Sequence, residues 1–232
     1  MEEVIIRKIH QYFEGEGFSE KDDLIIKEHI FQLFVNDAYY TTYCCTPELL
    51  EELIIGNLAI NGVINKKNDL QFIDRKEDLI KVKVAPNLTP KAIPGEAELE
   101  LKASQVLSLM NKHLDSSPLH KTTGGTHVMS IASKEQIIFS CQDIGRHNAL
   151  DKLYGYCLQN DIDTNDKILL SSGRITNEIC FKAVKMGIKV VLARATVSSL
   201  AIDLAIEHGL TITGFTRVNR FNIYSNPQRI IE

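Results

Sequence analysis

The chain has 232 residues, 44% of them hydrophobic, and a formal net charge of -4 at pH 7. This length allows one large or two small domains with a substantial core, and the acidic balance argues against a general nucleic-acid binder. The start, MEEVII, lacks the cations of a signal peptide, and no stretch reaches the roughly 18 apolar residues of a membrane span.

The chain contains five cysteines, an odd number, and no two of them form a C-x-x-C motif. Disulfide scaffolds and zinc sites need paired spacing. The cysteine pattern therefore predicts a cytoplasmic protein without a structural metal.

The first half predicts strands over 29–36 and 38–44, joined at Asn36-Asp37, and short strands over 70–74 and 79–84. Apolar residues at both odd and even positions of 29–36 indicate a strand covered on both faces. Between the strand pairs we expect a helix that Thr46 caps, that has Pro47 at its first position and that ends at Asn61-Gly62.

The stretch 85–98 contains three prolines and one glycine, which is typical of a loop. We therefore expect a domain boundary there, with a smaller α+β region over 1–98 and a second domain over 99–232.

The second half predicts a helix over 99–113 and a hairpin around Ser133-Lys134-Glu135. Alternating elements follow: helix 145–159, strand 167–171, helix 176–186, strand 188–193, helix 198–208 and strand 210–214. This ββαβαβαβ order predicts an α/β domain with a mixed sheet and helices on its faces.

Three polar clusters follow apolar strands, in CQDIGRHNALDK, KILLSSGR and GFTRVNRFNIY. An open α/β sheet builds its ligand crevice at such strand ends. Arg146, Arg174, Arg217 and Arg220 would supply forked donors for phosphate, so we expect a local anion site in this acidic chain.

Each cluster also has a structural interpretation. Asp143 suits a helix N-cap, whereas Arg146 and His147 in the first turn oppose the helix dipole unless an anion compensates them. Gly124-Gly125 suits a hairpin turn, and His127 is equally compatible with a packed core position.

The two later clusters leave similar alternatives. Thr176 can cap a helix, so the segment around Gly173 and Arg174 suits an anion site at a helix start, but Glu178 could instead hold Arg174 in an ion pair. The segment 214–224 suits either a nucleotide site or a solvated edge strand.

The same stretches resemble the FdhD family of formate dehydrogenase accessory proteins. The similarity lies in VNDAYYTTYCCTPELLEELIIGNLAINGVI, HKTTGGTH, DIGRHNALDK, SSGR followed by NE, and GFTRVNRFNIY with PQRI behind it. The resemblance implies a cytidine-deaminase-like domain, a homodimer, and formate dehydrogenase and a cysteine desulfurase as partners.

By this resemblance the ligand is the bis-molybdopterin guanine dinucleotide form of the molybdenum cofactor, bound through its GDP moieties. Its guanine dinucleotide contact falls on six consecutive residues: Phe215, Thr216, Arg217, Val218, Asn219 and Arg220. The polar clusters add the other predicted binding residues: Gly125, His127, Arg146, His147, Gly173 and Arg174.

The resemblance also implies sulfur transfer through a cysteine pair in a loop, but the corresponding stretch APNLTPKAIPGEAELELKAS has no cysteine. We assign no catalytic residue. Two functions stay open, a sulfurtransferase or a binder that presents the cofactor, and Cys45 is the substitute carrier to test. Hydrolytic deamination lacks its H-x-E and P-C-x-x-C motifs.

Overall fold

The coordinates are a computed structural model that describes residues 4–85 and 99–232. The predicted boundary and nearly all of its proline-rich loop lie outside the described residues, so the two-domain division stays a prediction. Among the described residues, no helix is long and apolar enough to cross a membrane.

The described chain begins with a hairpin that the sequence analysis did not predict. Strands β1 (Val4–Phe13) and β2 (Gly17–Ile26) pair antiparallel along their whole length. Gly15 and Gly17, with φ of 89° and 83°, make the tight turn between them because glycine adopts positive φ readily.

A second sheet has the order β4-β3-β6-β5. Its strands are β3 (His29–Val35), β4 (Ala38–Cys45), β5 (Leu70–Lys76) and β6 (Leu79–Val84). The predicted Asn36-Asp37 turn is confirmed, with positive φ at both residues. The expectation that β3 is covered on both faces was wrong, because Phe31 and Leu33 are buried while Ile30 is exposed.

Helix α1 (Leu50–Ile60) packs on this sheet and begins later than predicted. Leu49 has a left-handed backbone, with φ of 52°, which stops the helix from starting at Pro47. Thr46 is therefore not its cap, and its amide donates instead to Asp143 Oδ2 over 3.0 Å. The predicted end is confirmed, since Asn61 is the C-cap and Gly62 has φ of 72°.

The second half has the predicted ββαβαβαβ order over residues 127–214, from β8 to β12, with further elements before and after it. Its elements are β7 (Leu101–Lys102), α2 (Ala103–Asp115), α3 (Pro118–Thr123), β8 (His127–Ala132), β9 (Ile137–Asp143), α4 (Arg146–Gln159), β10 (Ile168–Ser171), α5 (Asn177–Lys185), β11 (Val190–Ala193), α6 (Ser199–Glu207), β12 (Thr211–Gly214), β13 (Asn222–Ser225) and β14 (Ile230–Ile231). Helix α2 starts at Ala103 rather than at residue 99, because β7 occupies 101–102 and pairs with β14.

The large sheet is mixed, with the order β13-β12-β11-β10-β8-β9. Helices α4, α5 and α6 contribute to the core on one face, whereas α2 contributes to a separate cluster on the other. The sheet is therefore covered by helices on both faces, as expected for an α/β fold.

The two halves meet where α1 crosses α4. A Cβ added to Gly56 would lie 1.9 Å from the backbone oxygen of Asp151, and one added to Gly155 would lie 1.9 Å from that of Glu52. Only glycine permits such a close backbone approach. The first half is thus held directly against the helix that begins in the first polar cluster.

Candidate binding site at the sheet edge

All three polar clusters lie at one edge of the large sheet. Strands β10, β11 and β12 are parallel, and β8 runs opposite to both β9 and β10. The carboxyl ends of β9 to β12 and the amino end of β8 therefore share this edge. We call it the cationic edge, made of His127, Arg146, His147, Gly173, Arg174, Arg194 and residues 215–220.

The loop after β10 is fixed by its own serines. The Gly173 amide donates to Ser171 Oγ over 3.1 Å, and Ser172 Oγ accepts from the Val128 amide over 2.9 Å. A Cβ on Gly173 would lie 3.1 Å from His127 Nδ1, closer than most side chains tolerate. Glycine at this position therefore leaves room for the imidazole.

The first turn of α4 brings cations together around two imidazoles. The pKa of His127 is lowered by burial first and then by the neighbouring charge of Arg146. The pKa of His147 is also lowered by burial first, and then by Lys182 and Arg146. Positive charges that lie close together in a partly buried site are unfavourable. A bound anion would offset this unfavourable electrostatic energy.

Glu178 does not hold Arg174, which corrects one alternative from the sequence analysis. Its carboxylate lies 3.2 Å from His147 Nε2, and Arg174 is exposed at the rim of the edge. The guanidinium of Arg174 is close enough to His127 to contribute to the lowered pKa of that histidine.

Three buried polar atoms next to these residues have no hydrogen-bond partner: Thr126 Oγ1, Arg146 Nε and Thr176 Oγ1. Thr176 takes the predicted N-cap position of α5, but its side chain makes no capping hydrogen bond. Buried donors without partners are rare in proteins. These three atoms fit a ligand that accepts hydrogen bonds at this edge.

Asp143 has a larger role than the predicted N-cap, because Gly145 takes the N-cap position of α4. The Asp143 carboxylate is fully buried and lies 2.7 Å from Lys152 Nζ. It also accepts from the Gly145 amide over 2.8 Å and from Asn148 Nδ2 over 3.0 Å. Asp143 thus fixes the loop that presents Arg146.

The turn after β12 is held by arginine contacts to backbone oxygens. Phe215 has φ of 49°, and the Arg217 amide donates to the Arg220 oxygen over 2.7 Å. Arg217 Nη1 donates to the oxygens of Arg194 and Thr216. Arg217 therefore shapes the turn.

The rest of the turn is divided between buried and exposed residues. Thr216 is fully buried, whereas Val218, Asn219 and Arg220 are exposed and available to a ligand. Strand β13, which follows, is the outermost strand of the sheet. The interpretation of this segment as a solvated edge strand therefore holds for 222–225.

Arg194 was missed by the sequence analysis. It follows the buried strand β11, and its Nη1 donates to the Thr216 oxygen over 2.7 Å. Its pKa is lowered by burial and by the nearby Arg217. The signal was available, since an arginine directly follows the apolar run VVLA.

Gly125 lies just before β8, and the space beside its Cα faces the first half of the chain. A Cβ added there would lie 2.6 Å from Ile26 Cδ1, at the base of the β1–β2 hairpin. The positive φ belongs to Gly124, which ends helix α3 rather than forming a hairpin turn.

Four of the five thiols are buried, and Cys44 is exposed. Burial raises the pKa of Cys45, Cys157 and Cys180 to about 12 and also raises that of Cys141. Cys45 is fully buried, and α1 begins too late for its amino terminus to activate a thiol at this position. Cys45 is therefore not suited to carry sulfur. The pKa of Cys44 is raised too, by burial and by Glu28.

The sequence profile of the FdhD/NarQ family matches residues 26–94 and 86–231. The chain belongs to this family. A relative from Bacillus pumilus named sulfur carrier protein FdhD is 35% identical over 97% of both chains. A relative of the same name from Staphylococcus aureus is 34% identical over 97% of this chain and 95% of its own.

A solved structure extends the family likeness to three dimensions. The crystal structure of a protein described as a formate dehydrogenase accessory protein, from Desulfotalea psychrophila, superposes with a TM-score of 0.86 at 28% identity. The match covers 98% of this chain and 99% of the other. The described residues thus share their mixed α/β architecture with this relative.

Proposed function

We propose that this chain is an accessory protein for formate dehydrogenase that binds the guanine dinucleotide form of the molybdenum cofactor at the cationic edge. The observation that carries the proposal is the gathering of cations from four strand ends in a chain of net charge -4. The description of the Desulfotalea psychrophila protein supports the formate dehydrogenase role.

Two groups of side chains along the cationic edge would bind different parts of the ligand. His127, Arg146 and Arg174 suit phosphate oxygens, with donors left open at Arg146 Nε and Thr126 Oγ1. Asn219 and Arg220 are exposed beside the arginine-held turn and suit the guanine and the second phosphate.

The distance between these parts fits an extended nucleotide. Strands β8 and β12 are separated by β10 and β11, and three strand spacings amount to about 14 Å. The cofactor is cargo in this proposal, and its molybdenum centre would supply the sulfur-accepting chemistry when bound.

The wider proposal follows the family. We infer formate dehydrogenase and a cysteine desulfurase as partners, a homodimer, a cytoplasmic location, and a cytidine-deaminase-like relationship for residues 99–232. The ββαβαβαβ order and the mixed sheet support the last of these.

Calorimetry with guanosine diphosphate tests the site. Replacing Arg174 or Arg220 by Ala removes a charge-assisted contact, so each variant should bind about ten- to a hundredfold more weakly. Arg75→Ala is the matched control, because Arg75 is an exposed arginine on β5 in the other half of the chain. Unchanged affinity in both site variants would reject the assignment.

Sulfur transfer is the second candidate, favoured by the relatives' name. A persulfide carrier needs an accessible thiol that ionises readily. Cys44 is accessible, but its pKa is raised, and the other four thiols are buried. We infer that the chain binds the cofactor without carrying sulfur on its own cysteines.

Mass spectrometry after incubation with a cysteine desulfurase and cysteine tests this inference. We expect no added sulfur on the native chain. A mass increase that is present in the native chain and absent from Cys44→Ser would restore the sulfurtransferase function, with Cys44 as its carrier.

A further inference from the structure

The β1–β2 hairpin exposes a patterned face. Residues directly opposite in an antiparallel pair project to the same side, so one face carries the pairs Ile6–Leu24, Lys8–Asp22, His10–Glu20 and Tyr12–Phe18. All eight side chains are exposed. We call these eight residues the outer face.

Large apolar side chains of the outer face are exposed to solvent. Ile6 is 66% exposed, Tyr12 58% and Phe18 78%. The rings of Tyr12 and Phe18 lie 5.2 Å apart and form one aromatic patch. Exposed aromatic patches of this kind mark interaction sites on folded proteins.

The hairpin has little support of its own. Among the described strands, β1 and β2 pair only with each other, and a lone two-stranded hairpin is marginally stable in water. At the base of the hairpin Ile26 projects from the same face and lies beside Gly125, but the eight side chains of the outer face itself are exposed. A partner on that face would supply the missing packing.

The charges on the outer face indicate which partner fits. Strand β1 contributes the cationic Lys8 and the titratable His10, while β2 contributes the acidic Asp22 and Glu20 at the same levels. The Ile6–Leu24 pair lies at one end of this polar belt and the Tyr12–Phe18 pair at the other. The face is therefore complementary to itself when β1 of one copy lies over β2 of another.

We propose that the outer face docks on the outer face of a second copy of this chain, about a two-fold axis parallel to the strands. This arrangement opposes Lys8 to Asp22 of the other copy and stacks each apolar pair on its counterpart. Such isologous contacts are the usual basis of a two-fold dimer. The inference rests on the homodimer of the proposed function and names its interface.

Sedimentation equilibrium of the full chain and two variants tests the face. Phe18→Lys should raise the dimer dissociation constant by about thirtyfold or more, because it places a charge in a packed aromatic patch. Ile25→Lys is the matched control, since Ile25 is an exposed apolar residue on the opposite face of β2. A monomeric native chain, or equal dissociation of both variants, would overturn the proposal.

Charge complementation tests the orientation. Lys8→Glu and Asp22→Lys should each weaken self-association, because each creates two like-charge contacts across the axis. An equimolar mixture of the two variants should dimerise as the native chain does, since the introduced carboxylate of one copy then opposes the introduced ammonium group of the other. Failure of the mixture to recover would refute this arrangement.

Guanosine diphosphate binding by the same variants separates the two proposals. The hairpin variants should bind the nucleotide with native affinity, because none of them changes the cationic edge. Native affinity together with unchanged dimerisation would reject the hairpin interface alone.

Discussion

Arg146 lies in the first turn of α4, where its charge opposes the helix dipole. Its Nε is buried without a partner, and, after burial, its charge contributes to the lowered pKa of both His127 and His147. These three residues are unfavourably placed in the free protein. A phosphate beside them would attract the Arg146 charge and favour the protonated form of both imidazoles.

The histidines should report this change. When guanosine diphosphate binds, the pKa of His127 and His147 should rise, because a negative charge favours the protonated imidazole. The complex then takes up protons, so affinity should increase as the pH falls, until it reaches the lowered pKa of the two histidines in the free protein, below the ordinary histidine value of about 6.5. NMR titration of the two rings measures the shift, and titration curves that coincide with and without the nucleotide would contradict it.

For individual residues, the sequence predicted which side chains lie at the site better than it predicted their contacts. Arg174 and His127 do lie at one sheet edge, because strand ends converge there whatever the details of packing. The partner of Glu178 and the carbonyl contacts of Arg217 could not be predicted, since they depend on side chains meeting across loops. Arg194 required only that a cation after a third buried strand be noticed.

Among the elements, helices α1 and α4 approach each other closely. Their backbones touch at Gly56 and Gly155, where an added Cβ would lie 1.9 Å from a backbone oxygen of the facing helix. The sequence indicated both helices. It contained no sign of the crossing, because a glycine within a helical pattern predicts only lower helix propensity.

A methyl group at the crossing should be strongly unfavourable. Gly56→Ala and Gly155→Ala should each reduce the free energy of unfolding by about 2 to 3 kcal/mol, although alanine favours the helix by about 1 kcal/mol. Denaturant unfolding measures the loss.

Gly62→Ala is the matched comparison for these substitutions. Gly62 follows the same helix with φ of 72° and open space around it. Its substitution should lower stability through backbone strain alone, by about 1 kcal/mol. Equal losses at all three glycines would argue against a packing effect at the crossing.

The start of α1 and the β1–β2 hairpin also show where prediction from the sequence failed. The order of elements in 127–214 followed from strand and helix patterns. The predicted start of α1 was wrong because Leu49 adopts a left-handed backbone, which no sequence pattern indicated. The β1–β2 hairpin was missed because its polar residues interrupt the alternation that indicates a half-buried strand.

Across the whole molecule, a buried lysine of the second half is bonded to the first half. Lys152 Nζ lies 2.7 Å from Asp143, and both side chains are fully buried. Lys152 also donates to Thr46 Oγ1 over 2.7 Å and to the Thr46 oxygen over 3.1 Å. One ammonium group thus connects β9, α4 and the segment before α1.

Loss of this ammonium group should destabilise the protein as a unit. Lys152→Met leaves the Asp143 carboxylate buried and unpaired, so unfolding should require about 3 to 5 kcal/mol less free energy. Lys121→Met removes the exposed pair with Asp115 and should change stability by less than about 1 kcal/mol. Thermal or urea unfolding compares them, and similar losses would show that the buried pair has no special role.

The burial of four thiols gives this protein an internal reporter of its own integrity. A thiol-reactive dye should label one site per folded chain and five per denatured chain. Counting labels would then show, for every variant described above, whether weaker binding or association reflects the intended contact or a population of opened molecules.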